Sequence, residues 1–138
     1  MCIRDRNKTN RQKMSADVAR GKEAITNYET LEVFKGSKIL DISLVKCMLE
    51  TGRTHQIRVH MSHKGNPILG DQTYGKKIKK LRGIDQEFED ILKSLKRQAL
   101  HAHTLGFVHP KTNQDVFYAS ELPEDLNKLK NRLETLKN

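Results

Sequence analysis

The clearest periodicity along the chain lies between Ile39 and Leu49. There Leu40, Ile42 and Leu44 alternate with Asp41, Ser43 and Val45, the period-two pattern of a half-buried strand. A second β-rich segment, residues 25–34, precedes it across Lys35-Gly36-Ser37, and a glycine-containing link this short predicts an antiparallel hairpin. Residues 54–64 support two readings. Ile57, Val59 and Met61 alternate with Arg58, His60 and Ser62 as in a strand, whereas Thr54 as an N-cap and Gly65 followed by Pro67 as a stop are helix signals. Further on, Phe88, Ile91, Leu92 and Leu95 share one face of an amphipathic helix over residues 85–96. Residues 100–108 and 116–120 predict strands joined by the turn His109-Pro110-Lys111-Thr112-Asn113. A last helix starts at Pro123, a residue suited to the first helical position, and carries Leu126, Leu129, Leu133 and Leu136. This order of elements is that of an α+β fold.

A chain of 138 residues, 36% of them hydrophobic, makes one domain or one part of a larger enzyme. Charged residues at 31% would suit a disordered chain if they were spread evenly; the bunched apolar positions argue instead for a folded domain with a heavily solvated surface. No apolar run reaches bilayer length and no signal-type h-region follows the basic start, so membrane and secreted classes are not expected. Cys2 and Cys47 form no disulfide framework and no CxxC, which points to a reducing cytoplasm. A net charge of +9 favours a polyanionic partner, most simply nucleic acid. Residues 1–13, with Arg4, Arg6, Lys8, Arg11 and Lys13, read as a mobile basic arm preceding a domain over residues 14–138. The opening hexad has no periodicity and reads as a false or truncated start. A loop over residues 70–83 holds Lys76, Lys77, Lys79 and Lys80; these are either solvated charges or, with the arm, a track for a phosphate backbone.

The densest chemistry lies in Thr51-Gly52-Arg53-Thr54-His55-Gln56-Ile57-Arg58-Val59-His60. A glycine turn there delivers two arginines, an amide and two imidazoles. The arginine fork suits phosphate or carboxylate, and glutamine can hydrogen-bond a base edge, so the segment is either an anion-facing site or a solvated polar turn. Six histidines invite a metal reading, but no HExxH or comparable ligand spacing occurs, and Arg53, Arg58 and Lys64 would repel a cation. Polar surface or RNA contact is the better account. Gly65-Asn66-Pro67-Ile68-Leu69-Gly70-Asp71 lacks the phosphate-loop pattern and reads as a structural turn. Asp71 in it is a lone carboxylate with no neighbouring acid to form an acid–base pair.

These segments, in this order, resemble the RluA-type RNA pseudouridine synthases, most closely those acting on large-subunit ribosomal RNA. The resemblance runs from about Arg11 through Leu49-Glu50-Thr51-Gly52-Arg53-Thr54-His55-Gln56-Ile57-Arg58-Val59-His60-Met61, its strongest part. It continues through Gly65 to Asp71, Tyr74-Gly75, Leu100-His101-Ala102, His109-Pro110 and Leu122-Pro123. It implies a helix over residues 55–64 and a mixed, mainly antiparallel sheet with flanking helices that carries an RNA cleft. It also implies an aspartate acting on a flipped uridine, with no metal or organic cofactor. An arginine that pairs with that aspartate matches Arg58. Arg53, His55 and Gln56 would lie at the cleft edge against RNA, and Leu100 near the target base. The family's HRLD-type motif and its active-site tyrosine are not found in this sequence, so the chain resembles the C-terminal part of a synthase whose nucleophile lies elsewhere. Apolar faces within residues 25–49 are then expected to lie uncovered. The alternative from another class is a noncatalytic RNA-binding module using the same basic surface.

Overall fold

The computed structural model describes residues 2–4, 15–16, 21–36, 39–75 and 85–136. Its order is β1 (Cys2–Arg4), β2 (Ser15–Ala16), β3 (Lys22–Glu23), β4 (Thr26–Gly36), β5 (Ile39–Leu49), α1 (Gln56–His63), α2 (Gln86–Leu95), β6 (Thr104–Val108), β7 (Asp115–Ala119) and α3 (Glu124–Thr135). The fold is α+β. Every ladder among the described residues is antiparallel, and they fall into three sheets: β2-β1-β3, β4-β5 and β6-β7. Cys2–Arg4 pairs with both β2 and β3, which corrects the reading of the opening residues as a free arm. Most of that arm, like Lys76, Lys77, Lys79 and Lys80, lies outside the described residues.

The β4-β5 hairpin connects two small cores. Thr30 pairs with Val45 and Glu32 with Leu44, so Leu31 is an extra residue bulged out of β4. Side chains alternate along a strand, and one inserted residue reverses their phase. Phe34, opposite Ile42, therefore faces the side away from Thr26, opposite Leu49. On Phe34's side, Ile42 and Leu44 pack with it against Phe88 and Leu95 of α2 and Leu126, Leu129 and Leu133 of α3. At the other end, Thr26 meets α1 through the imidazole of His60, whose Nδ1 lies 2.9 Å from its hydroxyl. Ala24, Val59 and Tyr74 form the second buried cluster.

Both long helices follow their apolar faces. In α2 the Asp85 side chain caps the N-terminus by accepting from the Phe88 N–H at 2.8 Å, and Arg132 of α3 reaches the same carboxylate. Pro123 occupies the N-cap of α3 in extended conformation rather than the first helical position. Between the cores, the segment 65–75 is tied by the Ala99 N–H donating to the Leu69 carbonyl at 2.7 Å. Gly70 beside it has φ +72°, and a Cβ there would lie 2.3 Å from the Arg97 carbonyl oxygen. Only glycine fits that crossing.

Helix α1 is held by one side chain. Gln56 is 3% exposed, and its amide makes four hydrogen bonds. Oε1 accepts from the Thr51 hydroxyl and the Arg53 N–H; Nε2 donates to the Ile25 carbonyl and the Thr26 hydroxyl. The amide has two donors and two acceptor lone pairs, so it is saturated.

Two outcomes follow from this architecture. Gln56→Leu should cost roughly 2–4 kcal/mol in urea unfolding, since it removes four partly buried hydrogen bonds at once. A loss below about 1 kcal/mol would mean that water replaces the amide. The second concerns β6-β7, where Leu105 and Tyr118 on one face and Val108 and Phe117 on the other are all more than half exposed. Apolar residues on both faces of a two-stranded ribbon call for neighbours. The isolated chain should therefore self-associate with rising concentration, and Leu105→Thr with Phe117→Thr should reduce this in sedimentation measurements. A wild-type chain monomeric throughout, with no binding of an apolar dye, would contradict it.

Candidate active site

The turn before α1 sets the site. Gln56 pulls the Arg53 N–H and the Thr51 hydroxyl inward, and the Gln56 N–H donates to the Arg53 carbonyl at 3.0 Å. The chain enters α1 through His55, which has φ 56° and makes no side-chain cap bond to the helix. Thr54, the N-cap expected from sequence, is not the cap: Gln56 already closes the turn from inside. A left-handed backbone costs a residue with a Cβ on the order of 1–2 kcal/mol, and here the ring is also engaged. His55 Nδ1 shares a hydrogen bond with the Tyr74 hydroxyl at 2.9 Å, and the two rings meet edge to face.

Arg58 lies three residues further on, over the same helical face as His55. Its Nε donates to Asp71 Oδ2 at 2.8 Å and its Nη2 to Asp71 Oδ1 at 2.9 Å, a two-pronged pair. The Asp71 side chain is fully buried and that of Arg58 is 13% exposed. Asp71 Oδ1 also accepts the N–H groups of Thr73 and Tyr74, each at 2.9 Å. The guanidinium carbon lies 5.0 Å from the centre of the Tyr74 ring. Among the described residues, Arg58 Nη1 makes no hydrogen bond.

These contacts set the charges. Burial alone would raise the Asp71 carboxyl, but the Arg58 fork and the N–H groups of Tyr74 and Thr73 outweigh it and hold the pKa below the ordinary value. The same fork raises the Arg58 pKa. Local desolvation and the Arg58 cation lower that of His55, with Asp71 partly opposing them. His55 is thus a neutral, exposed imidazole beside a fixed ion pair at neutral pH.

The residues singled out from sequence sort unequally. Arg58 and His55 come together through Asp71 and Tyr74. Arg53 is exposed on the flank, with Nε donating to the Glu23 carbonyl at 3.2 Å. Gln56, expected at the cleft edge against RNA, is buried and saturated, so it shapes the turn and has no group left for a base. Leu100 is half-buried, and its carbonyl accepts from Arg97 Nη1 at 3.1 Å; Arg97 in turn grips Asp125 of α3 with two bonds of 2.8 Å. It is not bonded to the Arg58 group. Sequence reasoning missed Asp71 and Tyr74. The local signal was present, because an Asp accepting the N–H groups two and three residues on is an Asx-type turn. The pairing with Arg58, across 13 residues, left no local trace.

His101 and His103 both bond the Ser120 carbonyl, and His109 Nδ1 receives the N–H groups of Lys111 and Thr112. Among the described residues no group of three or more His, Cys, Asp or Glu side chains is placed to hold a metal ion. No helix among them is long and apolar enough to cross a membrane.

A family model described as RNA pseudouridylate synthase matches residues 2–63. The chain is 43% identical over 113 residues to a ribosomal large subunit pseudouridine synthase D of Xanthomonas campestris, covering 82% of this chain and 33% of that protein. It is 43% identical over 122 residues to the Zymomonas mobilis protein of the same name, covering 88% and 35%. A Bacillus subtilis protein named as an uncharacterized RNA pseudouridine synthase, YlyB, is 44% identical over 124 residues, covering 90% and 35%. The chain thus spans about a third of the length of the curated relatives it matches, and the match falls on their C-terminal part. Reaching from the β1 strand through the turn and helix that carry Arg58, this likeness places the chain in the RNA pseudouridylate synthase family.

Proposed function

We propose that the protein containing this chain isomerises uridine to pseudouridine in ribosomal RNA, and that Arg58 grips the aspartate nucleophile contributed by residues outside this chain. The observation that carries this reading is the guanidinium fixed through Nε and Nη2 on a buried carboxylate, with no hydrogen bond to Nη1 among the described residues, inside the segment shared with the pseudouridylate synthase family. In the reaction the N1–C1′ bond of uridine breaks, the base turns, and a C5–C1′ bond forms; C5 loses a proton and N1 gains one. A carboxylate nucleophile must be aimed as well as ionised, and a guanidinium held in place by Asp71 offers it a fixed donor edge. Exposed Arg53 would attract a backbone phosphate and exposed His55 could hydrogen-bond one, and Lys76, Lys77, Lys79 and Lys80 would add to the attraction. Leu100 would pack beside the target base. A ribosomal RNA substrate sets the work in the cytoplasm.

The 138 residues contain no His-Arg-Leu-Asp sequence. Taken alone, the chain is therefore proposed to bind RNA without turning it over. The purified chain should release no tritium from ribosomal RNA labelled at uridine C5. Release above background would mean that one of its own carboxylates serves as nucleophile, and this assignment would fail.

The enzyme that contains this chain tests Arg58 directly. Arg58→Lys keeps the charge but loses the two-pronged grip, and a displacement of about 1 Å can lose on the order of a hundredfold in rate. Single-turnover pseudouridine formation should fall by that order while RNA affinity and thermal midpoint change little. Arg53→Lys should retain most turnover, because a point charge can replace a phosphate contact. The opposite pattern would assign the catalytic role to Arg53.

A further inference from the structure

We propose that Asp71 is a positioning residue for Arg58, occupying the Nε–Nη2 edge of the guanidinium so that the Nη1 edge is the one presented to the reacting carboxylate. This rests on the function proposed above. An arginine on a helix surface ordinarily has several rotatable bonds and no fixed heading. Here two contacts set the heading. Asp71 takes two of the donors and the Tyr74 ring lies against the guanidinium, while the next residue in the helix, Val59, is buried with Ala24 and Tyr74. Asp71 is itself fixed, because its Oδ1 receives two backbone N–H groups and its loop is anchored at Gly70 and at Leu69.

The charges carry the inference further. Asp71 is ionised and buried, so the Arg58–Asp71 pair is close to electroneutral. Arg58 can then supply direction to a second carboxylate while its net field is largely cancelled. Asp71, Tyr74 and His55 are the titratable groups that face Arg58 among the described residues. His55, its pKa lowered by desolvation and by Arg58, is neutral near pH 7, which leaves the Asp71 carboxylate as the charge that balances Arg58.

Asp71→Asn separates direction from charge. The amide can keep an oxygen on the Thr73 and Tyr74 N–H groups, but its NH2 meets one prong of the fork, and Arg58 is left with an uncancelled positive charge. In the enzyme that contains this chain, the plateau single-turnover rate should fall at least about tenfold. RNA affinity should hold. The acid limb of the rate profile should move to lower pH by roughly one unit, since a freed cation near the nucleophile favours its ionised form. A rate loss with no movement of that limb would reduce Asp71 to a structural residue, and a wild-type rate and profile would also overturn the proposal. Arg58→Lys measured beside it distinguishes the failures: if it retains turnover, the assigned role of Arg58 falls, whereas an inactive Arg58→Lys beside a normal Asp71→Asn sinks the present inference alone. Should Asp71→Asn not fold, nitrogen-15 NMR of the wild-type chain decides. The Arg58 Nε–H is expected as a separate, slowly exchanging signal, and an Nε–H exchanging like that of a solvent-exposed arginine overturns the proposal.

Discussion

The saturated amide of Gln56 is the constraint on which the site depends. Two of its bonds reach the start of β4 and two close the turn that enters α1, so it sets both where the helix begins and how it is rotated. Once Gln56 points into the interior, helical geometry places the rest. Val59, three residues on, enters the Ala24–Tyr74 cluster, and His60 reaches Thr26. Arg58 is carried round to the side where Asp71 waits. A helix of eight residues has little stability of its own, which is why its orientation comes from a buried hydrogen-bonded side chain rather than from propensity.

A buried ion pair is a poor device for stability, because removing both charges from water offsets most of their attraction. Its presence between α1 and the 65–75 segment is better explained by what it specifies. Every acceptor direction of Asp71 Oδ1 is used, and the fork fixes the plane of the guanidinium. The anchoring of Leu69 against the α2–α3 core connects this plane to the larger cluster, and the bulge at Leu31 lets one hairpin serve both. The site is thus braced from two cores, neither of which is large.

Legibility followed the range of the interactions. The hairpin, α2 and α3 were readable because period-two alternation and a helical apolar face are local patterns, and they match β4-β5, residues 86–95 and residues 124–135. α1 was ambiguous because its apolar residues, Ile57, Val59 and Met61, alternate for reasons of tertiary packing, and eight residues are too few for a 3.6-residue period to show. The resemblance to pseudouridine synthases decided for a helix. Thr54 was misplaced as a cap because cap rules assume a hydroxyl bonding forward, whereas Gln56 bonds back. Gln56 itself was sorted by residue type, and type does not reveal burial. Asp71 looked solitary for the same reason. Its partner is a contact of the fold, not of the sequence.

The basic surplus of the chain and the cation of its site turn out to be different things. The net charge of +9 invites the view that arginines line a cleft as free positive charge. Four arginines have described side chains, and Arg58, Arg97 and Arg132 are each paired with carboxylates of the chain itself. Arg53 alone among them bonds only a backbone carbonyl. Among the described residues, any attraction for a polyanion would therefore fall to lysines and to Arg53 at the surface, where salt screens it within about 8–10 Å. The Arg58 fork is shielded from that screening by its burial and its short contacts. On the proposed function, binding and aiming would accordingly be carried by separate sets of residues, so ionic strength should act on the first and leave the second largely in place.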